Sequence, residues 1–271
     1  MNLTKRSGMI VILGLAGLWL PLQTARAQDD VSALLARLSS EPFDESVLYA
    51  IERRPSDDRI IPALEAAFDR RAAKSEKQAI AETLLRLGNK AERFFEFLAN
   101  YAREAVEDRT PFFLKVDADG RAVPGQFSAE FENWCAQNGK NPRFVAALQW
   151  TVYPKDVLAL AEVQDPRASE LFKKGLDSPY PVVVSVSVRG LGRLRDVAAI
   201  PLIAKACGRL PSARRAVAVE LPWYSHPEAD ALMERLVPDR KDRDRYAADV
   251  HRLRLAELDR ILSRTGGAKE R

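Results

Sequence analysis

Apolar positions recur at helical spacing through most of the chain. In the stretch from Asp57 to Arg71, DDRIIPALEAAFDRR, one face collects Ile60, Ile61, Leu64, Ala67 and Phe68. Pro62 falls within the first turns, where its missing N–H costs little. Ser75 opens a second predicted helix, SEKQAIAETLLRLG, with Ile80, Leu84, Leu85 and Leu87 as its stripe. Gly88 is predicted to stop it at the position that needs a positive φ. The same grammar returns as DPRASELFKKGL from Asp165, SPYPVVVSVSVRGLGRL from Ser178, DVAAIPLIAKAC from Asp196, PSARRAVAVEL from Pro211 and HPEADALMERLV from His226. A leucine recurs in each first helix, at Leu64, Leu171, Leu202 and Leu232, the last three being 31 and 30 residues apart. A helix–turn–helix period of this size predicts an α-solenoid, because a lone pair of short amphipathic helices buries its apolar face only by stacking on the next pair. The β-branched run Val182 to Val188 has the composition of a strand, but the register places it in a second helix.

The middle departs from this pattern. Ala91 to Glu107 is a long amphipathic helix with Phe94, Phe95, Leu98, Tyr101, Ala102 and Ala105 on its stripe. Phe112 to Val116 and Arg121 to Val123 then flank Asp119-Gly120, the signal of a β-hairpin turn. Ser128 can cap a following helix that carries Phe131, Trp134 and Cys135, and Asn141-Pro142 opens another. From Asp239 to Arg264 a highly charged helix bears Tyr246, Val250, Leu253, Leu255, Leu258, Ile261 and Leu262, and is expected to cap the last repeat. The expected organisation is a signal at residues 1–27, N-terminal helices with one repeat pair at 28–110, a hairpin insertion with linking helices at 111–153, C-terminal repeats at 154–238, and a charged cap and tail at 239–271.

The D-x-x-A-I-P-L-I first helix and the A-x-x-x-L-x-x-L-G ending of the second resemble HEAT repeats, particularly the short variety first described in phycobilin lyases. The resemblance covers Asp57 to Gly88 and Asp165 to about Leu221, is weaker over Pro227 to Val237, and omits the middle. It implies an all-α fold, an α-α superhelix of HEAT-like pairs with a short β-hairpin insertion. It says little about activity, since the family holds scaffolds, transport receptors, assembly factors and a few enzymes.

The N-terminus changes the reading of charge. Lys5 and Arg6 precede an uncharged run from Met9 to Leu20, then Pro21 and the small-x-small pattern Ala25-Arg26-Ala27. That order predicts a cleaved secretory signal and a periplasmic or secreted protein. Lys5, Arg6 and Arg26 would leave without any acid, taking the formal net charge from +4 to +1. The basic balance therefore gives no support for nucleic-acid binding, and no membrane contact is expected beyond the signal. Cys135 and Cys207 lie far apart in a repeat array and are expected as buried free thiols.

Chemistry-bearing residues are sparse. His226 opens a helix and His251 lies in the charged one, so no His-Glu iron pair, zinc set or nucleophilic triad is visible. VDADGR at 116–121 has calcium-like spacing, but position twelve counted from Asp117 is Ser128, and a hairpin turn is the expectation. Lys77, Arg189, Arg193, Arg195, Arg214 and Arg215 lie on or beside second helices, which usually line the concave face in HEAT-like proteins. They could read carboxylates or phosphates, or form an internal ladder with Asp58, Asp165 and Asp196. Trp223 and Tyr224 are candidate contact anchors or plugs between units. These features predict a scaffold for a protein partner, without enzymatic activity or cofactor. The alternatives are a lyase- or chaperone-like assembly factor and a cell-wall or membrane-surface binding module.

Overall fold

The computed structural model describes residues 31–54, 57–117 and 122–266. Contacts separate Met1–Asp30 from Val31–Arg271. The expected signal and the Asp119-Gly120 turn lie outside the described residues.

The described residues are mostly helical, with one two-stranded sheet among them. In order it forms α1 (Val31–Leu38), α2 (Ser46–Glu52), α3 (Ile60–Arg70), α4 (Lys74–Arg86), α5 (Glu92–Glu107), β1 (Leu114–Val116), β2 (Ala122–Phe127), α6 (Ala129–Gln137), α7 (Pro142–Ala147), α8 (Tyr153–Glu162), α9 (Ser169–Gly175), α10 (Pro181–Arg193), α11 (Ile200–Arg209), α12 (Arg214–Glu220), α13 (Pro227–Leu236) and α14 (Arg240–Gly266). Several boundaries follow directly from local chemistry. Gly88, at φ +88°, ends α4 in a Schellman turn: its N–H reaches Leu85 O and that of Asn89 reaches Leu84 O. The Ser128 hydroxyl accepts the Phe131 N–H to cap α6, and Asn141 Oδ1 accepts the Arg143 N–H at the start of α7.

The β-branched run is helical, as its register requires. Val183, Val184 and Val188 are completely buried in α10, so burial on several sides outweighs strand propensity. Gly190 makes this packing possible, since a Cβ there would stand 2.6 Å from the Phe172 ring.

The recurring leucines do not all share one environment. Leu64 and Leu232 are buried, Leu171 is half-buried, and Leu202 is 44% exposed. The 3-10 turns Pro166–Ala168 and Val197–Ala199 precede α9 and α11. Their tighter winding rotates the following helix, so Phe172 and Ile203, one residue later, enter the core instead. The charged C-terminal helix also departs from expectation. Tyr246 and Val250 of α14 are buried, whereas Leu253, Leu255 and Leu258 are each more than half exposed.

The contacts add a partnership that sequence spacing does not reveal. α5 and α8 pack along one another although residues 108–152 lie between them. α4 touches both, α5 also meets α9, and α8 meets α10. Alternate helices also contact one another in succession: α2 with α4, α4 with α8, α8 with α10, α10 with α12, and α12 with α14.

The intervening segment has a core of its own, built on Phe113, Phe131, Cys135, Val145 and Ala146. Strands β1 and β2 are antiparallel, with Leu114 opposite Phe127 and an irregular register beyond it. Phe127 and Phe131 meet edge-to-face at 5.4 Å. Buried Gln149 closes the segment, its Oε1 accepting the Phe113 N–H and its Nε2 donating to Pro111 O. It sits in a single π-helical turn, Leu148–Val152, which leaves Trp150 56% exposed. Tyr180 joins this segment to the helix pairs: fully buried, it donates to Thr110 O at 3.0 Å and stacks on Tyr153 at 5.9 Å.

Candidate functional site

A chain of inter-helix ion pairs links α2, α4, α8, α10, α12 and α14. From α4, Arg86 Nε holds Glu52 of α2 at 2.8 Å, and Lys74 holds Asp156 of α8 at the same distance. From α10, Arg189 grips Glu220 of α12 with two bonds of 2.8 Å, and Arg193 reaches Glu162 of α8 at 3.4 Å and Glu257 of α14 at 2.7 Å. Each link ties two of these helices together. The planar guanidinium suits such paired, partly desolvated contacts.

A second tie repeats along the chain. Arg71, just after α3, donates from one Nη to Leu38 O and Ser40 O; Arg209, ending α11, does the same to Leu176 O and Ser178 O. Both cover carbonyls left open where α1 and α9 end. An Asp-x-Arg clasp also recurs. Asp57 accepts the Arg59 backbone N–H and both arms of its guanidinium, and Asp165 accepts the same three donors from Arg167.

A cleft of about 470 Å³ lies across α2, α4 and α8. Glu45, Glu52, Glu82 and Glu162 line it, against Arg86 and Lys155, and the half-exposed ring of Tyr49 stands at its wall. Burial pushes the Glu82 carboxyl up to about 7; Arg86 opposes this, while Glu162, Glu52 and Glu45 add to it. The folded form therefore holds a proton that the unfolded chain releases near 4.5. Stability is unaffected by Glu82 below that pH and falls as pH rises from about 4.5 through 7. Glu82→Gln should leave stability unchanged at pH 4 and raise it by on the order of 2–3 kcal/mol at pH 8. Urea unfolding of both proteins across that range checks this; equal pH slopes would refute it.

A second cleft, of about 370 Å³, lies where α10 and α14 meet the residues after α8 and α12. Gln164, Arg193, Arg195, Trp223, Arg254 and Glu257 line it. The Arg193 and Arg254 guanidinium carbons lie 4.9 and 5.5 Å from the Trp223 ring centre. Arg254 also donates to Trp223 O and to the Ser225 hydroxyl. Its guanidinium is held below the ordinary arginine value, first by burial and then by Arg195 and Arg193, with Glu257 acting in the opposite direction.

The candidate residues from the sequence are thus distributed over several roles. Arg189 and Arg193 spend their charge inside the molecule, on glutamates of neighbouring helices. Asp165 and Asp196 serve elsewhere, Asp196 accepting from Ser169 Oγ and Lys173 Nζ. Lys77 sits over the Phe68 ring at 4.9 Å, Arg214 Nε donates to Cys207 O, and Arg215 lies beside the Tyr246 hydroxyl. Trp223 and Tyr224 are buried, packed against Gly192, where a Cβ would stand 2.7 Å from Trp223 Cβ. They plug the joint between α10 and the turn after α12. Arg195, Arg214 and Arg215 are exposed and without an ion pair among the described residues, and of these three Arg195 lines the second cleft. Arg254, Glu162, Glu220 and Glu257 were not singled out by sequence. A usable signal existed for one of them, since Glu220 follows Arg189 by one 31-residue period.

His226 caps α13, its Nδ1 accepting the Glu228 N–H, and His251 is exposed on α14. Both cysteines are free and buried. Burial raises the Cys135 thiol and pushes Cys207 up to about 11, Arg214 opposing. No helix among the described residues is long and apolar enough to cross a membrane. No protein-family model matches the chain, and no curated protein matches it.

Proposed function

We propose that this protein is an exported, non-enzymatic interaction scaffold: a short α-solenoid of HEAT-like helix pairs that receives a protein partner on its second-helix face. On this reading the pairs are α1–α2, α3–α4, α5–α8, α9–α10, α11–α12 and α13–α14, with residues 108–152 inserted inside the third. The succession of second helices supports it, as do the duplicated Arg71 and Arg209 ties and the duplicated Asp-x-Arg clasps. Equivalent bonds at equivalent places are what stacked repeats produce. Export is supported by the charge, apolar run and small-x-small order of residues 5–27.

The observation that carries the partner-binding role is the cleft across α2, α4 and α8. It is open, rich in carboxylates and edged by Tyr49, which is 61% exposed. Such a surface suits an extended segment bearing lysine or arginine, steered by charge and anchored on an aromatic ring. The histidines and cysteines fit a role without chemistry: one histidine caps a helix, and both thiols are held protonated by burial.

The test is capture from cell-envelope extract with the full chain as bait, beside Tyr49→Arg. The wild type should retain a specific protein. The variant should lose it by about tenfold while keeping its unfolding midpoint. Failure to retain any protein, or equal retention by both baits, refutes the role.

A further inference from the structure

We infer that the cleft between α10 and α14 binds a small oxyanion, a carboxylate or phosphate group, gripped by Arg195 and Arg254. This site is separate from the α2–α4–α8 surface and does not depend on the reading above.

Charge is the first argument. Arg193, Arg195 and Arg254 face a cleft whose lining, among the described residues, has one carboxylate, Glu257. That carboxylate is already committed: one oxygen, Oε1, takes both Arg193 Nη2 at 2.7 Å and Gln164 Nε2 at 2.6 Å. Arg195 has no ion pair among the described residues, and Arg254 feels both other guanidinium groups. Arg193 also reaches Glu162, which lies outside the lining, so three cations share two anions, and the remaining positive charge is what an incoming oxyanion would balance.

Backbone geometry is the second. Among the described residues, three non-glycine residues have positive φ: Gln164 at 53°, Arg195 at 56° and Ser225 at 48°. All three belong to this place, since Gln164 and Arg195 line the cleft and Ser225 accepts from Arg254. Arg195 ends α10 in the same Schellman pattern as Gly88 ends α4, its N–H bonded to Gly192 O and that of Asp196 to Leu191 O. Glycine suits such a position best. A long cationic side chain there gains nothing locally, and left-handed non-glycine residues concentrate at ligand sites.

Unused donors are the third. Arg193 Nε and Trp223 Nε1 are buried in side chains of the cleft wall and have no hydrogen-bond partner. Buried donors are almost always paired, so this wall is left incompletely satisfied. The volume, about 370 Å³, suits a small molecule rather than a protein segment. The Trp223 ring and Leu258 offer apolar contact to the ligand's carbon skeleton.

Isothermal titration of the full-length protein with sodium phosphate and, separately, with citrate tests this, with ionic strength held constant by sodium chloride. Saturable one-site binding of at least one anion is expected. Arg195→Asn, which tolerates positive φ, should weaken it about tenfold without moving the thermal midpoint. Arg254→Lys keeps the charge but loses the fork, and should weaken it by a smaller factor. Binding of phosphate alone identifies a phosphoryl ligand, binding of citrate alone a carboxylate, and binding of both the shared chemistry. No saturable binding of either anion, or binding that Arg195→Asn leaves unchanged, overturns the inference.

Discussion

Arg86→Met should destabilise the protein by about 3 kcal/mol, whereas adding Glu52→Leu to it should recover most of that loss. The Glu52 side chain is only 1% exposed, yet it carries a carboxylate held by Arg86 Nε at 2.8 Å, with Thr83 Oγ1 beside it. Methionine fills much of the arginine's volume but leaves the carboxylate without its guanidinium in a poorly hydrated place. Breaking one side of such a buried pair costs about 3–5 kcal/mol. The lower figure applies here because Arg86 is itself 16% exposed, so water reaches part of the vacated place. Replacing both members by apolar side chains removes the uncompensated charge, and the double substitution should lie within about 1 kcal/mol of wild type. Urea denaturation of the three variants measures this directly. If Glu52→Leu fails to rescue Arg86→Met, the cost resides in packing around the arginine stem rather than in charge.

Tyr180→Ala should be the more damaging change, at about 3–5 kcal/mol. The side chain is completely buried between the α9–α10 turn, Phe112 and Tyr153. Its hydroxyl donates to Thr110 O, and with Tyr153 and Thr110 it also surrounds the Asp108 carboxyl. Burial by itself would raise Asp108. The hydrogen bonds from the Thr110 N–H and hydroxyl, with the Tyr153 and Tyr180 hydroxyls beside the carboxyl, outweigh burial and hold it below the ordinary carboxylate value. Tyr180→Phe keeps the ring and loses the hydroxyl that donates to Thr110 O, and should cost about 1–2 kcal/mol. The two variants thus separate packing from hydrogen bonding at the point where residues 108–152 meet the helix pairs. Denaturant unfolding followed by tryptophan fluorescence reads both, because Trp134 and Trp150 lie in that segment. A Tyr180→Ala loss below about 1 kcal/mol would show that the junction is held elsewhere.

Local structure was legible because its causes are local. Periodicity marked α3, α4, α5 and α9 to α13; Ser128, Asn141 and Gly88 marked three helix ends; and Asp119-Gly120 marked the hairpin whose strands are β1 and β2. Even α10, with its strand-like composition, followed from its place in the repeat register. Where spacing failed, the reason is also specific. Leu202 keeps the 31-residue interval yet faces outward, because a 3-10 turn rotates α11 and hands the buried position to Ile203.

By itself, then, the sequence determined the helical class and the apolar faces of α3, α4, α5 and α10, since these depend on residues within a few turns of each other. Only the tertiary structure decided that α5 and α8 are partners across residues 108–152, because no periodicity survives an interruption of that length. It also decided which arginines are spent and which are available. Arg189 and Arg195 look alike in the chain, but Arg189 lies against Glu220 and Arg195 stands at the rim of a cleft with no carboxylate of its own. That difference rests on where distant side chains arrive, which is a property of packing rather than of order along the chain.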